Sequence, residues 1–128
     1  MNTNESVENY LETILILSQT LPVVRSIDVA TELNFKKPSV SVAMRNLREK
    51  EYITMTNEGY IRLTDTGKKI ASMVYEKHTF LSQWLESLGV DPKTAAEDAC
   101  RIEHVISNES FKAIKKYVNK NTLNIKLP

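Results

Sequence analysis

The chain has 128 residues, of which 41% are hydrophobic and 26% are charged, and its formal net charge is +1. This composition fits a water-soluble globular protein, because no apolar run approaches the roughly 20 residues that a membrane-spanning helix needs. The N-terminus is polar and acidic, so we expect no signal peptide and predict a cytoplasmic protein. The single cysteine, Cys100, excludes an intramolecular disulfide framework.

Two helices are predicted at the start of the chain. Ser6 is a candidate cap for the first helix, in which apolar residues recur at helical spacing before Pro22 ends it. Ser26 is a candidate cap for the second, a short helix that ends near Asn34.

A third helix and a hairpin follow. Pro38 lies where a helix can begin, because a first turn does not use the N–H that proline lacks. The apolar stripe of this helix consists of Val40, Ala43, Met44 and Leu47. The short runs Tyr52–Thr56 and Tyr60–Leu63 are rich in Tyr, Ile and Thr, and the turn between them ends in Gly59, which predicts a β-hairpin. Two tightly joined helices followed by a hairpin are the order of elements in a winged helix-turn-helix.

The second half of the chain predicts three further helices. A long helix extends from about residue 64 to residue 88 and ends at Gly89, and the pair Asp91-Pro92 can cap and start the next one. A final helix is predicted at residues 108–119, and the chain beyond it is expected to be frayed. The predicted fold class is therefore mainly α, with an N-terminal winged helix-turn-helix, a small hairpin wing and an all-helical second domain.

Basic residues cluster around the third predicted helix. Five lysines and arginines lie between Lys36 and Lys50 against one glutamate, whereas the chain up to Val24 has none. A compact basic segment is expected where phosphates are bound, although charge alone describes a solvated helix face equally well. In a helix-turn-helix, the second helix enters the major groove of DNA while neighbouring elements contact phosphates. The candidate DNA contacts are Arg25, Ser26, Lys36, Lys37, Pro38, Ser39, Ser41, Val42, Arg45, Arg48, Tyr60 and Arg62.

Three potential metal ligands fall on one predicted helix of the second half. Cys100, Glu103 and His104 have the spacing i, i+3, i+4, so they project from the same helix face. A thiolate, a carboxylate and an imidazole together suit a late first-row divalent ion. Other predicted helices offer further ligands: His78, Asn9 and Glu12. The alternative is purely structural, with Cys100 as a small buried residue and Glu103 paired with Arg101 or Lys112.

Four segments carry a family resemblance. They are ENYLETI at residues 8–14, KKPSVSVAMRNLREKEYI at residues 36–53, LTDTGKKIA at residues 63–71 and EDACRIEHVIS at residues 97–107. From about Val7 to Val118, the chain resembles the diphtheria-toxin-repressor and manganese-transport-repressor family of metal-dependent transcriptional regulators. The resemblance implies a winged-helix DNA-binding domain at residues 1–71, a helical dimerisation and metal-binding domain at residues 72–120 and a flexible tail at residues 121–128, without the barrel domain that some members add.

The resemblance also implies which residues bind metal. The thiol, carboxylate and imidazole of the predicted cluster match main-site ligands of the iron-sensing branch, and His78 matches a histidine that binds metal across the family. Glu12 matches a carboxylate ligand of the manganese-sensing branch, and Asn9 stands where that branch has aspartate. Ser82 and Ala96 replace ancillary ligands of the iron branch. The expected cofactor is Fe(II) or Mn(II), and Zn(II), Co(II) or Ni(II) are expected to substitute in vitro.

By resemblance, the chain is expected to be a repressor of iron or manganese homeostasis genes. It would bind a double-stranded, pseudo-palindromic operator as a homodimer, with no enzymatic activity. Metal that ligates several helices would favour one orientation of the two domains and so set the spacing of two recognition helices. The expected dimer surface, some of which must instead be core, is Ala95, Ala99, Ile102, Ile106, Phe111 and Ile114. Three alternatives stay open: a winged-helix regulator without metal control, a regulator switched by the Cys100 thiol, and a small metalloenzyme.

Overall fold

The computed structural model describes residues 3–121 of the chain, and the side chains of residues 5–120. Within that part there are six helices and one two-stranded sheet, which confirms the predicted mainly α fold class. The elements are α1 (Thr3–Ser18), α2 (Ser26–Leu33), α3 (Lys37–Glu49), β1 (Ile53–Met55), β2 (Ile61–Leu63), α4 (Asp65–Ser87), α5 (Pro92–Val105) and α6 (Asn108–Asn121). They group into two compact units, residues 1–72 and residues 73–128.

Two further expectations from the sequence concern the C-terminal tail and membrane-spanning helices. The predicted flexible tail, residues 121–128, lies outside the described residues except for Asn121, which ends α6. None of the helices in the described range is both long and apolar enough to cross a membrane.

The first unit is built around the apolar stripes of its helices. Buried residues of α1, α2, α3 and both strands form one cluster: Tyr10, Leu11, Ile14, Val29, Ala30, Val40, Met44, Leu47, Ile53 and Ile61. Burying one large aliphatic side chain contributes about 1.5–3 kcal/mol. This burial is what holds α2 in place, because a helix of 8 residues is marginal on its own in water.

Two predicted helix caps are wrong. α1 begins at Thr3, so Ser6 lies inside its first turn. The N-cap of α2 is Arg25, whose backbone N–H donates to the Asp28 carboxylate at 2.9 Å. Asp28 therefore supplies the oxygen at the helix start that the prediction assigned to Ser26. The predicted end of α2 is confirmed, since Asn34 adopts a left-handed φ of 56° that stops the helix.

The predicted wing is an antiparallel hairpin with strands somewhat shorter than expected. Thr54 lies opposite Arg62, and Gly59 allows the turn by adopting a φ of 85°. The chain just before α2 also joins this sheet, because the Ile61 N–H donates to the Val24 carbonyl at 2.7 Å. The start of the helix-turn-helix and the wing are thus connected by backbone hydrogen bonding.

α4 begins against the segment that follows α3. The Thr64 hydroxyl donates to the Glu51 carbonyl at 2.7 Å and accepts the Gly67 N–H at 3.1 Å. A Cβ atom on Gly67 would lie 1.9 Å from the Tyr52 carbonyl oxygen, far inside van der Waals contact. Glycine is therefore required for α4 to start this close to the segment that follows α3.

The second unit has a core of its own. Phe80 and Leu81 of α4 are buried with Ala99 of α5 and with Phe111 and Val118 of α6. The Phe80 and Phe111 rings meet edge to face, with centroids 5.5 Å apart, a favoured geometry for aromatic pairs. These contacts bring the three helices of this unit together around one apolar centre.

The predicted boundary between α4 and α5 is confirmed. Gly89 follows α4 with a φ of 97°, a left-handed conformation that ends a helix readily only at glycine. The Asp91 carboxylate caps α5, accepting the backbone N–H groups of Lys93 and Thr94 at 3.1 and 3.4 Å. α5 therefore starts where the sequence predicted.

Three of the six residues expected at the dimer surface belong to the core instead, as was expected of some of them. Ala95, Ala99 and Phe111 are buried within the single chain. The other members of that set are partly buried against the same core: Ile102, Ile106 and Ile114. The apolar stripe of α5 fills the centre of its own unit, so its alanines are not available to a second chain.

Candidate metal centre and nucleic-acid interface

The predicted ligand triplet on α5 converges in space. One ligand atom each from Cys100, Glu103 and His104 lies within 4.8 Å of the other two. Cys100 is exposed, whereas the Glu103 side chain is fully buried and that of His104 is 3% exposed. Atoms that bind one ion at about 2.0–2.3 Å are up to about 4.6 Å apart, so the triplet has nearly the spacing of a shared ligand set.

The buried carboxylate of Glu103 lies between two imidazoles. Its Oε2 atom is 3.1 Å from Nδ1 of His78, on α4, and its Oε1 atom is 3.3 Å from Nε2 of His104. Neither contact has hydrogen-bond geometry, and both carboxylate oxygens are buried without a hydrogen-bond donor in the part of the chain that the structure describes. The structure thus brings His78 to the triplet as the fourth side chain of the cluster.

This arrangement fits a transition-metal ion. Transfer of an ionised carboxyl group out of water costs several kcal/mol unless the group is paired, hydrogen-bonded or bound to a metal. Two imidazoles, a carboxylate and a thiol are also the donors that suit a late first-row divalent ion.

Two residue assignments of the purely structural interpretation are wrong. Cys100 is exposed, so it does not act as a small core residue. The close contacts of the Glu103 carboxylate are with His78 and His104 rather than with the lysine or arginine side chain expected in that interpretation.

The two predicted ligands on α1 belong to the first unit. Asn9 is half-buried, and Glu12 is only 7% exposed. Their spacing of i, i+3 places both on one face of the helix. Their assignment as metal ligands stays a prediction.

The recognition helix α3 separates apolar and polar residues onto opposite faces. Val40, Met44 and Leu47 are buried, whereas the candidate DNA contacts on or beside α3 are all exposed: Lys36, Lys37, Pro38, Ser39, Ser41, Val42, Arg45 and Arg48. Proline occupies the first turn as predicted, and that turn has no acidic residue. The exposed face combines cationic, hydroxyl and apolar side chains, which can meet phosphates and base edges.

An open depression borders this face. It is lined by Ser26, Ser41, Val42, Met44, Arg45, Arg48 and Met55. Two guanidinium groups and two hydroxyls thus surround apolar side chains, a combination that can accommodate a phosphate together with its sugar. The depression links the start of α2, the recognition helix and the wing.

The remaining DNA candidates lie at the start of α2 and in the wing. Arg25 and Arg62 are exposed, and Ser26 and Tyr60 are half-buried. The Arg25 guanidinium lies over the Tyr60 ring, 4.9 Å from its centroid, and Nη2 donates to the phenolic oxygen at 3.2 Å. The sequence predicted each residue separately and missed their pairing, because no local pattern relates positions 35 residues apart.

Comparisons with known proteins cover nearly the whole chain. Residues 2–61 match the family model of the iron dependent repressor N-terminal DNA binding domain, and residues 64–124 match that of the iron dependent repressor metal binding and dimerisation domain. MJ0568, an uncharacterized HTH-type transcriptional regulator of Methanocaldococcus jannaschii, is 32% identical over 91% of this chain and 95% of its own. The HTH-type transcriptional regulator MntR of Bacillus subtilis is 32% identical over 88% of this chain and 79% of its own.

A solved structure shows the same fold. The manganese regulator SloR superposes with a TM-score of 0.78 at 24% sequence identity. The match covers 88% of this chain and 53% of SloR, so the chain spans about half the length of that protein.

Proposed function

Because the chain belongs to the iron-dependent repressor family of metal-dependent transcriptional regulators, we propose that its Glu103 cluster binds a divalent transition metal that favours the DNA-binding form of a homodimer. The proposed target is a pseudo-palindromic operator that controls genes of iron or manganese homeostasis, with repression as the mode. The relatives are transcriptional regulators, which confirms the expectation that the chain is not an enzyme.

The observation that carries this proposal is the carboxylate of Glu103. It is fully buried, it touches two imidazoles, and it has no hydrogen-bond donor among the described residues. When bound, a divalent ion would neutralise this charge and hold the surrounding side chains in one arrangement. No hydrogen bond among the described residues compensates the carboxylate oxygens in its place.

The proposed ligands lie on different helices, and each helix contributes to the control of DNA binding by metal. Cys100, Glu103 and His104 bind from α5 and His78 from α4, so ligation ties these two helices together. α4 starts at the contact between Gly67 and the segment after α3. His78 therefore shares a helix with residues that abut the segment after the recognition helix. The further proposed ligands, from α1, are Asn9 and Glu12.

On the DNA side, we propose that the exposed face of α3 enters the major groove. Lys36, Lys37, Arg45 and Arg48 would neutralise phosphates or contact guanine, and Val42 would contact a thymine methyl group. The wing and the start of α2 would contact the backbone on either side. Metal then acts through differential affinity for the DNA-competent form, without adding DNA contacts of its own.

We propose residues 1–71 as the DNA-binding domain and residues 72–120 as the domain that dimerises. Among the described residues of the second unit, three large apolar side chains are strongly exposed: Leu88, Val105 and Tyr117. Exposed apolar residues of this kind are candidates for the contact between two copies, in place of the buried stripe of α5.

DNA binding to the duplex upstream of the chain's own gene tests this function. We expect Mn(II) or Fe(II), added without oxygen, to tighten binding by roughly 5–150-fold, the usual range of allosteric coupling, and a chelator to reverse the effect. Affinity that does not respond to metal or chelator would contradict metal control and favour a winged-helix regulator with another signal. Loss of binding on peroxide treatment without any metal dependence would favour a switch at the Cys100 thiol.

The thiol of Cys100 determines which metals bind best. Thiolates favour Fe(II), Co(II) and Zn(II) over the harder Mn(II), which prefers oxygen ligands. We therefore expect Cys100→Glu to shift the ratio of Co(II) to Mn(II) affinities by about tenfold or more towards Mn(II). Competition titrations measure the ratio, and the near-ultraviolet charge-transfer band of Co(II)–thiolate reports the ligand directly. Cys100→Ser is the control, because it removes the thiolate without adding a carboxylate. Wild-type protein that binds Co(II) without this band would contradict the assignment.

A further inference from the structure

The Arg25 side chain is held by the wing rather than by its own helix. Its guanidinium lies over the Tyr60 ring, with Cζ 4.9 Å from the centroid, and Nη2 donates to the Tyr60 hydroxyl at 3.2 Å. One tyrosine thus provides both a π face and a hydrogen-bond acceptor, two interactions that restrict an otherwise mobile arginine.

The backbone on both sides of this contact is fixed. The Arg25 N–H donates to the Asp28 carboxylate at 2.9 Å, and the Val24 carbonyl accepts the Ile61 N–H at 2.7 Å. The Tyr60 N–H donates to the Thr56 hydroxyl oxygen at 3.1 Å. The contact therefore joins two backbone segments held by hydrogen bonds, the N-cap of α2 and the residue just before β2.

Most of the hydrogen-bonding capacity of Arg25 stays available. A guanidinium has five N–H donors in a planar fork, and the Tyr60 hydroxyl is the one acceptor that the structure shows for them within its described part. The nearby Asp28 carboxylate accepts the Arg25 backbone N–H. Arg25 is also exposed, so the remaining donors face solvent.

We propose that Arg25 and Tyr60 act as one unit in DNA binding, in which Arg25 binds a backbone phosphate and Tyr60 is the positioning residue that holds its guanidinium. An arginine restrained before binding loses less conformational entropy when a phosphate fixes it. The pair also ties the wing to the start of α2, so both elements meet the same stretch of backbone. This inference rests on the proposed DNA-binding function and adds a role for Tyr60 that does not require it to touch DNA.

The test is a double-mutant cycle with a salt series. Binding of the metal-loaded protein to a fluorescent duplex of its own upstream region is measured by anisotropy at several KCl concentrations. The proteins compared are the wild type, Arg25→Ala, Tyr60→Phe and the double variant. Lys93→Ala is the charge-matched control, because Lys93 is exposed on the other unit and belongs to no proposed DNA contact.

We expect Arg25→Ala to weaken binding about tenfold. It should also reduce the salt slope, which is the steepness with which the logarithm of the binding constant falls against the logarithm of the KCl concentration. The expected reduction is about 0.9 for each phosphate that is no longer neutralised, hence about 1.8 for a dimer. Tyr60→Phe keeps the ring but not the acceptor. It should weaken binding about threefold to tenfold with the salt slope unchanged, because the arginine still reaches the phosphate. The double variant should bind no more weakly than Arg25→Ala, since a positioning residue has no effect without the group it positions.

Two results would overturn the inference while leaving the proposed function intact. One is a double variant whose loss of affinity equals the product of the two single fold-changes, because this shows that the two residues act independently. The other is a salt slope that does not change in Arg25→Ala, or one that Lys93→Ala reduces as much as Arg25→Ala does. A wild-type protein that fails to bind any upstream duplex in the presence of metal would overturn the proposed function and this inference together.

Discussion

Replacement of Glu103 by glutamine is expected to weaken metal binding by at least about 100-fold, more than loss of an outer-shell partner costs a metal site. The amide keeps the shape of the side chain but cannot supply an anionic ligand. At a metal concentration about 100 times the wild-type Kd, the bound ion adds about 2.7 kcal/mol to the free energy of unfolding, and in the variant about 0.4 kcal/mol. Denaturant unfolding with and without metal measures both values.

Glu97→Gln is the matched control, because Glu97 is an exposed glutamate on the same helix. It should retain the full stabilisation by metal, and only Glu103→Gln should lose metal-dependent operator binding. Undiminished stabilisation of Glu103→Gln by metal would contradict the assignment of this carboxylate as a ligand. A large loss of stability in its metal-free form would instead show that the buried charge is needed for folding.

The features that the sequence predicted correctly depend only on residues of a single helix or on the residues that flank it. The triplet on α5 was predictable because spacing along a helix determines which side chains share a face. The burial of Val40, Met44 and Leu47, with Arg45 on the opposite face, follows from the same periodicity. Gly89 was a reliable stop because few other residues adopt a positive φ at low cost.

The features that the sequence missed depend on distant contacts or on a choice between near neighbours. The pairing of Arg25 with Tyr60 joins separate elements, so no local pattern encodes it. His78, by contrast, was expected as a further ligand of the cluster, and it lies beside Glu103. At the start of α2, the side chains of Ser26 and Asp28 both carry an oxygen that can accept a backbone N–H. In the structure Asp28 accepts the Arg25 N–H, whereas the sequence predicted Ser26 as the capping residue.

Periodicity also cannot tell whether an apolar stripe packs within its own chain or against a second copy. Ala99 lies on a stripe of α5 that either arrangement would explain. The structure places Ala99 in the core of its own unit, so the dimer contact has to be sought on other residues.

Reversal of the charge of Arg45 is expected to abolish operator binding, with a loss of more than about 100-fold. Arg45 is exposed on α3 and lines the depression beside Ser41 and Val42, so glutamate there would face phosphates. The fold should tolerate the change, because exposed substitutions usually alter stability by less than about 0.5 kcal/mol. Lys112→Glu, the same charge reversal at an exposed site of the second unit, should leave operator affinity unchanged.

Thermodynamic reciprocity gives this prediction a second readout. If metal tightens operator binding by some factor, the operator must tighten metal binding by the same factor. Arg45→Glu should therefore bind metal in the absence of DNA as the wild type does, but the operator duplex should no longer improve that binding. Glu103→Gln should show the converse, with weak DNA binding that does not respond to metal. If Arg45→Glu changes the metal affinity measured without DNA, the result would contradict the claim that the DNA-binding site and the metal site are separate. It would imply that α3 takes part in the metal centre itself.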